Sequence, residues 1–177
     1  ADLSRTGHSQ LMHHQTIERS IEWGTRLLSE TDRAAHARLS VLPGVFTKEA
    51  AAAVVPAEVS VGDVQRLLDR LVNSSLLGIV PAAAPGRPTR YRQLATVRAH
   101  AVRMLAASGD TDDVLRKRKV WLTEMVGERA FLPAEDSTGW HARVEDNYDT
   151  LNAVLQQALI DAPEPDGLVI TMHLHTF

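Results

Sequence analysis

Apolar residues recur at helical spacing along most of this chain, with one interruption near the middle. Ile17, Ile21, Gly24 and Leu28 stand at i, i+4, i+7 and i+11, one face of a first helix. Ser29 with Asp32 has the form of a capping box and predicts a second helix through Leu42, broken by Pro43-Gly44. Thr47 is placed to cap a short third helix over KEAAAAVV. Ser60 with Asp63 predicts the start of the clearest amphipathic helix. Within it Val64, Leu67, Leu68, Leu71 and Val72 complete an i, i+3, i+4, i+7, i+8 stripe.

The period then shortens. LLGIV (76–80) and RYRQL (90–94) read as two short strands joined by the Pro- and Gly-rich loop PAAAPGRPT. The second strand runs straight into a helix whose face is Val97, Ala101, Met104 and Leu105, stopped by Ser108-Gly109. Strand alternation assigns Leu94 to the core. Three helices, a hairpin and a closing helix over 15–108 form the winged-helix arrangement, a helix-turn-helix variant. From Asp110 onward the pattern is helical again. Val114, Trp121 and Met125, widened by Leu122 and Val126, precede a loop at 131–139. One continuous helix follows through Trp140, Val144, Asn147, Leu151, Leu155 and Leu159, closed by Pro163 and Pro165. Two such helices predict an antiparallel hairpin. The sequence thus predicts a mostly α chain: a linker at 1–14, a winged-helix domain with a small β-hairpin wing at 15–108, and an antiparallel helical hairpin at 109–177, which the resemblance given below makes the start of a TPR-like array.

Composition narrows the function classes. The 177 residues are 44% hydrophobic and 23% charged, enough apolar content for a real core. Net charge is -3, so no global positive field draws the chain to nucleic acid or acidic lipid, although a local basic face is compatible with it. The absence of cysteine excludes disulfides and thiol chemistry. No apolar run reaches the length of a membrane span and no signal-peptide pattern stands at the start, which predicts a cytoplasmic protein with no membrane partner. Both ends read as cuts through a longer polypeptide.

Candidate chemistry is sparse. The prospective recognition helix offers Asp63, Gln65, Arg66, Asp69 and Arg70, two acids among five polar positions, which is poor for a phosphate-facing surface. The wing is more basic, with Arg87, Arg90 and Arg92. Arg66, Arg70, Arg87, Arg92 and Arg98 are the candidate contacts, to another domain or to DNA. The run Arg116-Lys117-Arg118-Lys119 spreads around a helix and reads as a solvated face, with Asp112–Arg116 and Asp113–Lys117 pairs. His13-His14 and His173-x-His175 lack metal-site spacing. Adjacent carboxylates such as Asp112-Asp113 and Glu145-Asp146 diverge on a helix. No G-x-S-x-G and no G-x-x-x-x-G-K-[ST] occurs. The sequence therefore predicts no catalytic, cofactor-binding or metal-binding residues in this chain. Trp23, Trp121 and Trp140 read as packing residues, with a concave binding surface as the alternative for the last two.

Four segments in order carry a resemblance: QTIERSIEWGTRLLSETDRAAHARLSVLPGVFTKEAAAAVV, LLDRLVNSSLLGIV, RYRQLATVRAHAVRML and ARVEDNYDTLNAVLQQAL. Together they resemble the winged helix and the start of the tetratricopeptide-like region in large bacterial STAND (AP-ATPase-type) transcriptional regulators of the SARP and LuxR kinds. The resemblance implies an ATP/ADP-binding core upstream, with this non-catalytic piece coupling its nucleotide state to downstream repeats. Implied partners are that ATPase domain, the downstream repeats, DNA or the transcription machinery through the full-length protein, and further copies of the protein on activation. Alternative readings are a sequence-tolerant DNA-binding winged helix and a peptide-binding helical scaffold. In plant-resistance and apoptotic relatives the strand-to-helix join carries Met-His-Asp, whose His approaches ADP. Aligned by Tyr91 and Arg98, those positions here are Gln93, Leu94 and Ala95, and Leu94 has no donor for a phosphate.

Overall fold

The computed structural model describes residues 18–82, 84–131, 137–161 and 165–174; the 1–14 segment and the paired histidines at 13 and 14 lie outside them. Helix α1 covers 18–26 and is followed by α2 (Glu30–Arg38), which tightens into a 3-10 turn at Leu39–Val41. Strand β1 (Phe46–Thr47) leads into α3 (Lys48–Val54) and α4 (Val64–Asn73). Strands β2 (Gly78–Val80) and β3 (Arg90–Arg92) enclose the wing loop, and β3 passes almost directly into α5 (Ala95–Ser108). This is the element order of a winged helix.

Local chemistry explains most boundaries. The Ser29 hydroxyl accepts from the Asp32 amide at 3.1 Å, as the capping pattern predicts, while the Asp32 carboxylate is gripped by Arg70. The Thr47 hydroxyl caps α3 through the Ala50 amide. Gly109, at φ 78°, closes α5 in the left-handed conformation that glycine adopts without penalty. At α4 the expectation fails. Ser60 does not cap the helix; its hydroxyl donates to the Asp63 carboxylate at 2.6 Å, residues 61–63 form a turn, and the helix begins at Val64.

The sheet has three strands, not two. Phe46–Thr47 pairs with β3 antiparallel, giving the order β1-β3-β2, with Tyr91 facing Phe46 on one side and Ile79 on the other. A two-residue strand shows no alternation to read, so only its pairing reveals it. Around it Leu39, Leu42, Phe46, Val54, Leu67, Leu68 and Leu71 are buried in one apolar cluster that also takes Val114 from the next helix. The stripe read from α4 is therefore the face that locks the helices together.

The join between β3 and α5 has the opposite parity to the one expected. Tyr91 and Gln93 point inward, whereas Leu94 is 55% exposed and occupies the N-cap position of α5. Alternation holds, but hydrophobicity assigned the wrong residue of the pair to the interior. A buried amide at 93 is viable because its Nε2 donates to the His36 carbonyl at 3.0 Å and lies 3.1 Å from His36 Nδ1.

Beyond Asp110, α6 (Thr111–Gly127) ends in a 3-10 turn at Glu128–Phe131. The helix expected as continuous from Trp140 is interrupted: α7 (Ser137–Asp146) and α8 (Tyr148–Gln156) flank Asn147. The Asn147 amide Nδ2 donates to the Arg143 carbonyl at 2.8 Å, and its backbone N–H bonds Val144 rather than Arg143. A side chain that competes for the backbone acceptor bends the helix there. After α8 a π-turn runs over Gln157–Asp161, and Pro165 begins α9 (Pro165–Leu174) instead of closing the preceding helix. Leu122, Met125, Trp140, Val144, Leu151, Val154 and Ile170 form a second core, in which Trp140 Nε1 donates to the Met125 carbonyl at 3.1 Å. Trp140 is thus a core residue, Trp121 is half-buried against both cores, and Trp23 is exposed.

Candidate functional site

A winged helix offers two surfaces to a nucleic acid, the outer face of its recognition helix and its wing. Here α4 is the former and residues 81–89 the latter. On α4 the polar side chains are largely engaged with protein groups. Arg70 forks onto Asp32 of α2, with Nε to Oδ2 at 2.8 Å and Nη2 to Oδ1 at 2.6 Å. Asp32 is 5% exposed as a residue, and the Arg70 hydrogen bonds hold its carboxyl below the usual carboxylate range against the opposing effect of burial. Arg66 pairs with Asp63 on the surface. Gln65 donates to Asp69 and to the Tyr91 hydroxyl, tying α4 to β3. The outer face is thus a closed set of short-range pairs, with acids beside both arginines.

The wing is held by the helices that follow it. Arg87 Nε donates to Asp146 Oδ2 at 3.0 Å, Nη1 to Glu145 at 3.2 Å, and Nη2 to the Ala142 carbonyl at 2.9 Å. Asp146, at the C-terminal end of α7, is 2% exposed. The hydrogen bond from Arg87 to Asp146 is the main reason the guanidinium pKa is raised. The adjacent carboxylates at 145 and 146, which helical spacing predicts to point apart, instead converge on this one guanidinium. Arg90 donates to the Pro81 carbonyl across the base of the wing. The side chain of Arg92, alone among the five candidate arginines, makes no hydrogen bond or ion pair among the described residues, and it is exposed.

The same helices reach the start of the sheet. Asp149 Oδ2 accepts from the Val45 amide at 3.0 Å, and the Thr47 hydroxyl lies 3.5 Å from Asn147 Oδ1. Gly44 makes this approach feasible: φ is +62°, and a Cβ there would overlap the Asp149 carboxylate. Between wing loop, α6 and α7 remains a cavity of about 410 Å³, bordered by Thr47, Arg87, Pro88, Trp121, Met125 and Asn147 among others. The Asn147 bend that the periodicity could not show is what presents residues 145–149 to the winged helix.

A second link runs through the end of α2. Arg98 Nε, from α5, donates to the Ser40 carbonyl at 2.9 Å, and Arg118 Nη1, from α6, donates to the Val41 carbonyl at 2.7 Å. Both fill acceptors left open where the helix ends, at the negative pole of its dipole. Arg118, expected on a solvated face, is 6% exposed. Elsewhere in that run Asp113 pairs with both Arg116 and Lys117, in place of the Asp112–Arg116 pair the spacing suggested. Arg38 reaches Asp110 at 2.8 Å, adding a third tie between α2 and the later helices.

Among the described residues no group of three or more histidine, aspartate or glutamate side chains is arranged to hold a metal ion. No described helix is long and apolar enough to cross a membrane.

Comparison with known proteins agrees with the fold. Residues 28–106 match the family described as a winged helix-turn-helix domain. One curated protein of Mycobacterium bovis and two from strains of Mycobacterium tuberculosis, each carrying the name "Putative HTH-type transcriptional regulator", are 33% identical to this chain over 144 residues. The aligned stretch is 81% of this chain and 16% of each relative, so the chain spans about a sixth of their length. No solved structure matches the chain.

Proposed function

We propose that this chain, whose residues 28–106 match the winged helix-turn-helix family and which is similar to HTH-type regulators, is a non-catalytic regulatory module of a transcription factor. In this reading the winged helix is a coupling element, and it relays the state of a neighbouring domain to the helices after it. The observation that carries it is that four of the five candidate arginines are engaged by protein groups. Arg70 and Arg87 are each held by a carboxylate that is itself buried, Arg66 by Asp63, and Arg98 by a backbone carbonyl. Phosphate binding through these groups would require exchanging charge-assisted protein contacts for DNA contacts. The STAND resemblance supplies the finer form of the proposal: an ATP- or ADP-bound core, outside this chain, would pack against the winged helix and release it on exchange.

A second reading, DNA contact through the wing, is favoured by the exposed and unpaired Arg92. Anisotropy of a fluorescent duplex titrated with the chain at low and moderate salt separates the two. The coupling role predicts no binding at micromolar protein even at low salt. Binding that weakens steeply with salt and is lost in Arg92→Ala would establish a phosphate-contacting module instead, and the coupling reading would fall.

A further inference from the structure

Arg118 is the most deeply buried cation among the described residues that has no carboxylate partner. Its Nη1 donates to the Val41 carbonyl and its Nη2 to Gln157 Oε1 at 2.8 Å, while Nε has no partner. Two neutral acceptors do not neutralise a guanidinium withdrawn from water, and Arg98 lies close enough to repel it. Burial first, and then Arg98, lower its pKa to about 10. The compensating charge missing from the protein has somewhere to go. Arg118 borders a cavity of about 300 Å³ between α6 and α8, with Arg116 and Lys119 on the same helix and Leu115, Val154 and Ala158 as apolar walls. That volume matches the lower range of small-molecule sites. Gln157, which holds Arg118 at the rim, is the first residue of the π-turn, a distortion of helical geometry that recurs at binding sites. Asp112 also lines the cavity, which sets the anionic end of any occupant toward Arg118 and away from Asp112.

We propose that the α6–α8 cavity is a binding site for a small organic anion, whose carboxylate or phosphate group pairs with Arg118 and whose short apolar body lies on Leu115, Val154 and Ala158. Because Arg118 bridges Val41 of the winged helix and Gln157 of the helical region, occupancy would strengthen the joint between them. The site involves neither α4 nor the wing, so it does not rest on the DNA reading.

The test is thermal unfolding of the whole chain with inorganic phosphate, butyrate or hexanoate, at constant ionic strength maintained with chloride. A saturable rise in Tm is expected, about 7 °C at a hundredfold excess over the dissociation constant. Response to phosphate alone, or a response growing from butyrate to hexanoate, identifies which head group the site takes. Because Arg118→Gln could unfold the chain, the decisive variant is Gln157→Glu, which places a carboxylate beside the Arg118 guanidinium. This variant is expected to be more stable than the parent without added anion and to lose the anion response. No saturable shift with any of the three anions, or an undiminished shift in Gln157→Glu, would overturn the proposal.

Discussion

Lowering the pH from 8 to 5 should loosen the winged helix through one buried side chain, His36. It is fully buried between α2, the β3–α5 join and α5, with the His100 ring centroid 6.4 Å away. Gln93 Nε2 lies 3.1 Å from His36 Nδ1 and also donates to the His36 carbonyl, so the neutral ring with Nδ1 as acceptor suits this geometry. Protonation would set two donors against each other in a site with no anion. Burial, and secondarily His100, lower the His36 pKa from 6.5 to about 4. The unfolded chain therefore takes up a proton near pH 6.5 that the folded chain refuses until near pH 4, and stability falls as pH falls across that window. Linkage gives a loss of roughly 2 kcal/mol between pH 8 and 5, rising to about 3 kcal/mol at pH 4. Urea unfolding at pH 8, 6 and 5, with His36→Gln in parallel, measures it. The parent should lose that stability across the series and His36→Gln should lose much less, the remainder coming from groups such as His100, whose pKa is also lowered, chiefly by burial. Equal pH slopes in parent and variant, or an NMR titration placing the His36 midpoint near 6.5 in the folded chain, would refute the reasoning.

Other residues give independent checks. Gly44→Ala should cost about 1 kcal/mol or more from the positive φ, and should also displace Asp149; hydrogen exchange at the Val45 amide would rise with it. Arg70→Ala leaves the Asp32 carboxylate buried without its partner. With Arg70 itself half exposed, a loss of about 1 kcal/mol is expected in chemical denaturation. Because the Asp32 pKa is depressed in the folded state, that pair contributes above about pH 4 and its contribution disappears as pH falls further. Trp140→Phe keeps an aromatic ring but removes the donor to the Met125 carbonyl and part of the buried volume; a cost of about 1–3 kcal/mol in the second core follows, read by the same denaturation. Arg87→Ala should speed proteolysis at the wing loop, while conservative Arg87→Lys, lacking the fork that spans Asp146 and Ala142, should rescue protection only in part.

The sequence by itself determined the order of helices and wing strands in the winged helix. The α4 stripe, the Thr47 cap, the Gly109 stop and the Pro- and Gly-rich wing loop are local signals, set by 3.6-residue periodicity and backbone preference, and they stand in the structure as read. Tertiary structure decided what depends on partners distant in the chain. β1 exists because Phe46–Thr47 meets β3, more than forty residues away. Leu94 faces outward because His36 offers Gln93 hydrogen bonds that make the amide the better buried residue. Asn147 bends the second helix to bring Asp146 and Asp149 onto the wing and β1. Arg118, indistinguishable in sequence from its basic neighbours, is the one turned inward, because the open carbonyl of Val41 lies on that side of α6. Charge patterning alone shows that arginines are present; whether each faces solvent, a buried carboxylate or a cavity depends on contacts that no local pattern encodes.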